Sequence, residues 1–170
     1  MVVFDGRLHV HYGQAYVFSG NAENTGDMDA CFRGQVNGLV GAALPGELFL
    51  MTGLHTGHVH FRVEVVAADP PVDETWEECV EASFEPDGEV RLVDWDGNLV
   101  CTIPLDRQAY RGRYHGRGMD AGHAADTILE NERLLDEYLL SFWPAPTARD
   151  RIIKQTSAQA DYWHRWAQEL

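Results

Sequence analysis

Five of the eight histidines lie in two short stretches, LHVHYG at residues 8–13 and LHTGHVHF at residues 54–61. Each stretch holds a His-x-His pair, and alternate residues of a β-strand point to the same face. Two imidazoles at that spacing can share a metal ion, usually with a carboxylate and a further histidine. If the two strands were neighbours, they could build a metal-dependent enzyme site from His58, His60, Glu64, His9 and His11.

The same histidines also fit the polar face of an amphipathic strand. Val59, Phe61 and Val63 alternate with them and are the natural core residues. A catalytic metal in a sandwich or barrel normally lies inside, where a dry cavity tunes the bound water. We therefore expect a solvated face with no metal and no cofactor, and keep the paired-histidine enzyme as the alternative.

No other catalytic signature is present in the sequence. It has no GxSxG nucleophile elbow, P-loop or dinucleotide fingerprint. These observations favour a binding protein over an enzyme. A small-ligand carrier with a pocket inside the fold is a third possibility.

Net charge restricts the partners. The chain has 27 acidic and 13 basic residues, a formal net charge of −14. Because affinity for phosphate is built from clustered Lys and Arg, we expect no direct nucleic-acid binding. Residues 1–85 hold 13 acids against three arginines. Such an acidic surface can steer a basic protein partner.

The N-terminus lacks the basic start and long apolar stretch of a signal peptide, and no apolar run could span a membrane. We therefore expect a cytoplasmic protein with no membrane contact. The sequence does not determine the oligomeric state.

Short alternating segments separated by turn residues predict a mainly β protein. Residues 7–18 read as one half-buried strand, with a bulge at Gly13. Further strands are predicted in GLVGAALPGELFLMTG, HVHFRVEVV, ECVEASF, VRLVDW, NLVCTI, YRGRYHGR and EYLLSFWP. The sequences PDGE and Asp96-Gly97 predict two hairpin turns between residues 77 and 103.

The period changes after Thr147, where apolar residues recur every three or four positions and predict a C-terminal amphipathic helix over 147–168. We predict one domain, 1–170, folded as an antiparallel, jelly-roll-like β-sandwich of about eight or nine strands with this helix packed on it. A closed β-barrel is the alternative.

The stripe of Arg111, Arg113 and Arg117 is expected to pair with glutamates on a neighbouring strand, such as Glu81. Residues proposed for the surface that meets a basic partner are Glu77, Glu81, Asp94, Asp96 and Trp166. Trp166 is included because it lies off the apolar stripe of the predicted helix, so we expect it to be exposed.

The segments LHVHYGQAYVF and PLDRQAYRGRY resemble the bacterial competence-associated family of inhibitors of a DNA-entry nuclease. That resemblance implies an acidic, mostly β protein that acts as an inhibitor or immunity-like partner of a nuclease. GLVGAALPG, GRGMD and YLLSFWPAP resemble a group of uncharacterised actinobacterial proteins, which implies no activity. The C-terminal helix and residues 118–135 depart from the inhibitor pattern.

Overall fold

Two β-sheets and three short helices make up the chain, which a computed structural model describes over residues 1–170. The strands are β1 (Val2–Val10), β2 (Gln14–Ser19), β3 (Val40–Gly41), β4 (Glu47–Met51), β5 (Gly57–Val65), β6 (Glu78–Phe84), β7 (Val90–Val93), β8 (Leu99–Ile103), β9 (Tyr110–Arg117), β10 (Glu137–Pro144) and β11 (Arg151–Lys154). The helices are α1 (Met28–Phe32), α2 (Met119–Ala125) and α3 (Ala158–Gln168).

One sheet has six strands in the order β1-β5-β10-β9-β6-β11, and the other has five in the order β3-β4-β2-β7-β8. Neither sheet closes on itself. The predicted sandwich is therefore confirmed, and the alternative of a closed barrel is wrong. All pairings are antiparallel except that of β5 with β10. The structure has eleven strands rather than the eight or nine expected.

The core lies between the sheets and contains 34 buried apolar residues. Alternation along β5 places Val59, Phe61 and Val63 in this core, and His58 and His60 on the outer face. The polar-face interpretation of the histidine strands is thus confirmed. No helix is both long and apolar enough to cross a membrane.

The predicted single strand over 7–18 is wrong. The chain reverses at Tyr12 and Gly13, both with positive φ, and β1 and β2 join different sheets. PDGE likewise connects β6 of one sheet to β7 of the other, so it is not a hairpin turn. Asp96-Gly97 does join the paired strands β7 and β8.

The C-terminal helix is confirmed, but its predicted start at Thr147 is wrong. Residues 151–154 form β11, which pairs with β6, and Ser157 caps the helix by accepting a hydrogen bond from Ala160 N at 3.0 Å. Ala160, His164 and Ala167 are the buried residues of α3. Ile152 and Ile153 fitted a helical period, yet pairing with the edge of the six-stranded sheet decided their conformation.

Candidate partner-binding surface

The four acidic residues expected to meet a partner do not share one surface. Glu77 and Glu81 belong to the β6 region, whereas Asp94 and Asp96 lie in the turn between β7 and β8 of the other sheet. The backbone N–H of Gly118 donates to Glu77 at 2.9 Å, and Asp94 accepts hydrogen bonds from Asn98. Asp96 is exposed, and its role in partner binding stays a prediction.

The expectation that Trp166 is exposed is wrong. Its ring is half-buried and contacts Phe32 and Trp163, with ring centroids 5.3 and 5.5 Å away. The exposed aromatic residue of α3 is Tyr162, at 58%.

The alternative metal set is not brought together. His9 and His58 are cross-strand neighbours with ring centroids 5.3 Å apart. His60, however, contacts Asp5 through Nε2 at 2.8 Å and Glu137 through Nδ1 at 3.4 Å, so its two nitrogens point to different partners. His11 bonds Thr56, and Glu64 accepts from Ser141. No three His, Cys, Asp or Glu side chains are grouped so that they could hold a metal ion.

Glu81 is the centre of a buried ion-pair network on the outer face of the six-stranded sheet. Its carboxylate is 1% exposed and pairs with Arg111 at 3.2 Å, Arg113 at 2.7 Å and Arg151 at 2.8 Å. Burial alone would raise the pKa of Glu81, but hydrogen bonds from Arg151 and Arg113 outweigh it and lower that pKa. The predicted pairing with Glu81 is confirmed for Arg111 and Arg113, whereas Arg117 pairs with Glu137 of β10. Glu81 therefore cannot present a carboxylate to a partner.

The segment between β5 and β6 covers this part of the outer face. Asp69 and the carbonyl of Pro70 accept from Arg113, and the Trp76 ring lies 5.5 Å from that of His115 and 4.9 Å from the guanidinium of Arg117. Polar residues that alternation alone assigns to solvent are consequently buried here. Arg113 is 2% exposed and His115 is 3% exposed.

Unpaired negative charge collects at a different place, on two loops that we call the acidic end, residues 20–29 and 85–89. Their sequences, GNAENTGDMD and EPDGE, contain no Lys, Arg or His. All six carboxylates are on exposed residues: Glu23, Asp27, Asp29, Glu85, Asp87 and Glu89.

Hydrogen bonds hold the two loops of the acidic end together. The Ser19 hydroxyl donates to Asp87 at 2.9 Å and accepts from its backbone N–H at 2.8 Å. Gly20 N–H donates to the carbonyl of Glu89, and Arg91 donates to the carbonyls of Gly20 and Ala22. The only arginine bound to these loops is thus used for their backbone.

A groove of about 600 Å³ opens beside the acidic end, between β4 and β6. Glu85 and Asp87 line it together with the buried Glu47, and Arg33 is its one basic residue. Burial raises the pKa of Glu47. The Cys31 thiol donates a hydrogen bond to Glu47, and burial together with the charge of Glu47 raises the pKa of this thiol to about 12. The groove is suited to cationic side chains, because four of the five ionisable residues that line it are acids.

The acidic end was not identified from the sequence, although a signal was available. The acid-rich N-terminal half predicts a basic partner, and residues 20–29 contain three acids and no basic residue. What the sequence could not show is that residues 85–89, which include the PDGE predicted as a hairpin turn, lie against residues 20–29 because β2 and β7 are neighbours.

The chain was compared with known proteins at three levels. No protein-family model matches it, and no curated protein matches its sequence. Among solved structures, the fold is similar to that of ComJ from Bacillus subtilis, an inhibitor of the DNA-degrading activity of NucA. The two share 14% sequence identity with a TM-score of 0.55, over 85% of this chain and 98% of ComJ.

A second structure, the product of crocagin biosynthetic gene J, aligns with 11% identity and a TM-score of 0.44, over 86% of this chain and 100% of that one. The similarity to ComJ confirms the resemblance to the nuclease-inhibitor family at the level of fold. The resemblance to uncharacterised actinobacterial proteins stays a prediction.

Proposed function

We propose that this protein is a non-enzymatic, cytoplasmic binding protein that inhibits a basic partner, such as a nuclease, by covering its nucleic-acid-binding surface. The fold shared with ComJ, an inhibitor of a DNA-degrading enzyme, carries this proposal. Carboxylates displayed on a rigid scaffold can occupy the place that nucleic-acid phosphates would take on a basic protein.

The acidic end is the surface we assign to this contact. Its six exposed carboxylates have no basic residue among them, and the adjoining groove can accept side chains of the partner. Glu77 and Asp94 already accept hydrogen bonds within the protein, which leaves them less suited to this task than Glu23, Glu85 or Glu89.

The test compares two variants with equal net charge. The acidic-end variant carries Glu23→Gln, Asp29→Asn, Glu85→Gln and Glu89→Gln. The matched control carries four neutralised exposed acids elsewhere, Asp96→Asn, Asp106→Asn, Glu130→Gln and Glu169→Gln. None of these eight carboxylates accepts a hydrogen bond or pairs with a base in the structure, so both variants should fold.

A basic protein captured from the source organism by the wild type is identified and purified, and its degradation of DNA is measured with each form of the inhibitor. We expect wild type and control to inhibit equally and the acidic-end variant to bind about 10- to 100-fold more weakly. A captured protein whose activity is unaffected would contradict inhibition. An equal loss of affinity in both variants would contradict the assigned surface. A loss of affinity in the control alone would favour a surface that includes Asp96.

A further inference from the structure

A second cleft opens at the opposite end of the sandwich from the acidic end. β2 begins there at Gln14 and β4 ends there at Met51, whereas the acidic end adjoins the other termini of the same strands. We call it the aromatic cleft. It has a volume of about 360 Å³, and the side chains that give it its character are Tyr12, His55, His123, Asp126, Tyr162 and Trp163.

The chain has two non-glycine residues with positive φ, Tyr12 and Asp126, and both line the aromatic cleft. Tyr12 (φ 53°) and Gly13 (φ 63°) form a tight turn closed by a hydrogen bond from Gln14 N to the His11 carbonyl at 3.2 Å. Positive φ at both central residues defines a type I′ turn, whose first position favours Asn rather than Tyr.

Asp126 is strained in a different way. Its φ of 62° and ψ of −60°, with a 2.6 Å hydrogen bond from Thr127 N to the Ala125 carbonyl, form a γ-turn of the rare, positive-φ kind. Backbone strain in folded proteins is concentrated at functional sites. The fold therefore keeps two unfavourable residues, a tyrosine and an aspartate, at one cleft.

The side chains of the cleft present ring faces and a carboxylate to solvent. Tyr12 is 54% exposed and is fixed by contacts with His55 and Trp95, at ring centroid distances of 5.0 and 5.6 Å. Tyr162 is 58% exposed and packs edge-on against Trp163 at 5.0 Å. Thr127 donates to one oxygen of Asp126, and the other oxygen is free to accept.

We infer that the aromatic cleft binds an arginine side chain of a partner protein. A guanidinium can stack on tyrosine and tryptophan rings while it donates to a carboxylate, and partner arginines pair with exposed aromatic residues at interaction hot spots. No Lys or Arg lines the cleft, so a free amino acid would find no permanent cation for its own carboxylate. That the guanidinium belongs to a protein rests on the proposed function.

The test uses the full-length protein and a short peptide as the probe. Acetyl-Gly-Arg-Gly-amide is titrated up to about 50 mM while amide and indole N–H resonances are followed by NMR. We expect saturable shifts of the Trp163 indole and of residues around Asp126, with a Kd of about 1–10 mM, the range for one guanidinium held by cation–π and carboxylate contacts. The peptide with citrulline in place of arginine, which has the same shape without the charge, should cause no such shifts.

Variants separate the contributions of the cleft residues. Asp126→Asn and Tyr162→Ala should each weaken peptide binding at least fivefold, while Asp106→Asn, an exposed acid outside the cleft, should leave it unchanged. Tyr12→Asn should also weaken binding, yet raise the Tm, because Asn is favoured at this turn position. Higher stability with weaker binding is the result that a purely structural role for Tyr12 would not produce.

Several outcomes would overturn the inference: equal binding of the arginine and citrulline peptides, no saturable shift, or shifts confined to the acidic end. Free arginine binding tenfold or more tightly than the peptide would identify a metabolite site instead. None of these readouts involves a nuclease. The test of the aromatic cleft can therefore fail while the test of the acidic end succeeds, and the acidic-end test can fail while the cleft test succeeds.

Discussion

Glu81 is a candidate for partner contact in the sequence but a buried ion-pair residue in the structure. In the sequence it is one of many acids and a candidate for partner contact. In the structure three arginines converge on it beneath the segment that contains Asp69 and Pro70. Removing one member of such a buried network leaves the opposite charges unpaired, which costs more than the network itself contributes.

Glu81→Gln should therefore destabilise the protein by about 3–5 kcal/mol, because Arg111 and Arg113 would stay buried without their shared anion. Urea unfolding measures the change. Glu85→Gln, the same chemical change at an exposed position, is the control and should stay within about 0.5 kcal/mol of wild type. Similar stability for the two variants would show that the network is not desolvated as the structure describes.

Two histidines are buried in neutral form. His115 is 3% exposed, and neither ring nitrogen has a partner within 3.5 Å. Burial, aided by the neighbouring Arg113, lowers its pKa to about 4, and the backbone of Leu139, with Asp73 and Glu64, only partly opposes this. His164 is 4% exposed and its Nδ1 accepts from Gly38 N at 2.9 Å. Burial lowers its pKa to about 4 as well.

Because an unfolded histidine has a pKa of about 6.5, the unfolded state binds more protons than the folded state between about pH 6.5 and pH 4. The stability associated with each neutral histidine is present above pH 6.5 and is lost as the pH falls through that window, on the order of 3 kcal/mol for each. NMR titration of the ring protons should give midpoints near 4 for both. A midpoint near 6.5 for either would contradict its burial.

At the scale of elements, α3 depends on close backbone contact more than on its own propensity. A Cβ on Gly38 would lie 1.9 Å from the carbonyl oxygen of Trp163. Asp120 also accepts hydrogen bonds from the backbone N–H groups of Ala158 and Gln159 at the start of the helix. The helix is thus fixed by residues far away in the chain, which explains why its start could not be located from period alone.

Gly38→Ala should force α3 away from its site and destabilise the protein by about 1–3 kcal/mol, the range for overpacking in a tight contact. Chemical unfolding and tryptophan fluorescence, to which Trp163 and Trp166 contribute two of the five tryptophans, measure the effect. In the control, Gly6→Ala, the new Cβ meets only the Phe4 ring at 3.3 Å, so a small change is expected. If Gly38→Ala behaved like Gly6→Ala, the helix would not dock as described.

At the scale of the whole molecule, the two proposed contact regions lie at opposite ends of the sandwich. The acidic end offers carboxylates, and the aromatic cleft offers ring faces with one carboxylate. Exposed charges act over a distance that salt shortens, whereas a ring and a guanidinium act in contact. The two regions should therefore affect different steps of association.

For the complex with the captured partner, the association rate constant should fall about tenfold or more when the salt concentration rises from about 50 mM to about 500 mM, because electrostatic steering is screened. The acidic-end variant should show a weaker salt dependence of this rate, and the dissociation rate should change less. Stopped-flow kinetics at several salt concentrations provide the measurement. Rates independent of salt would contradict an electrostatic contact.

The sequence by itself determined the elements that depend on local pattern. Alternation identified β5 and β9, and an apolar run identified β10. Asp96-Gly97 identified the turn between β7 and β8, and the change of period identified a C-terminal helix. Composition determined the excess of negative charge. Each of these follows from neighbouring residues, since side-chain period and turn geometry are local properties of the backbone.

Only the tertiary structure decided which strands share a sheet, that residues 66–77 bury Arg113 and His115, and that two distant loops form the acidic end. It also brought Tyr12, Asp126 and Tyr162 to one cleft. The physical reason is that alternation assigns a residue to a face but cannot say what covers that face. Contacts between residues far apart in the chain make that choice, and they depend on the packing of the whole core.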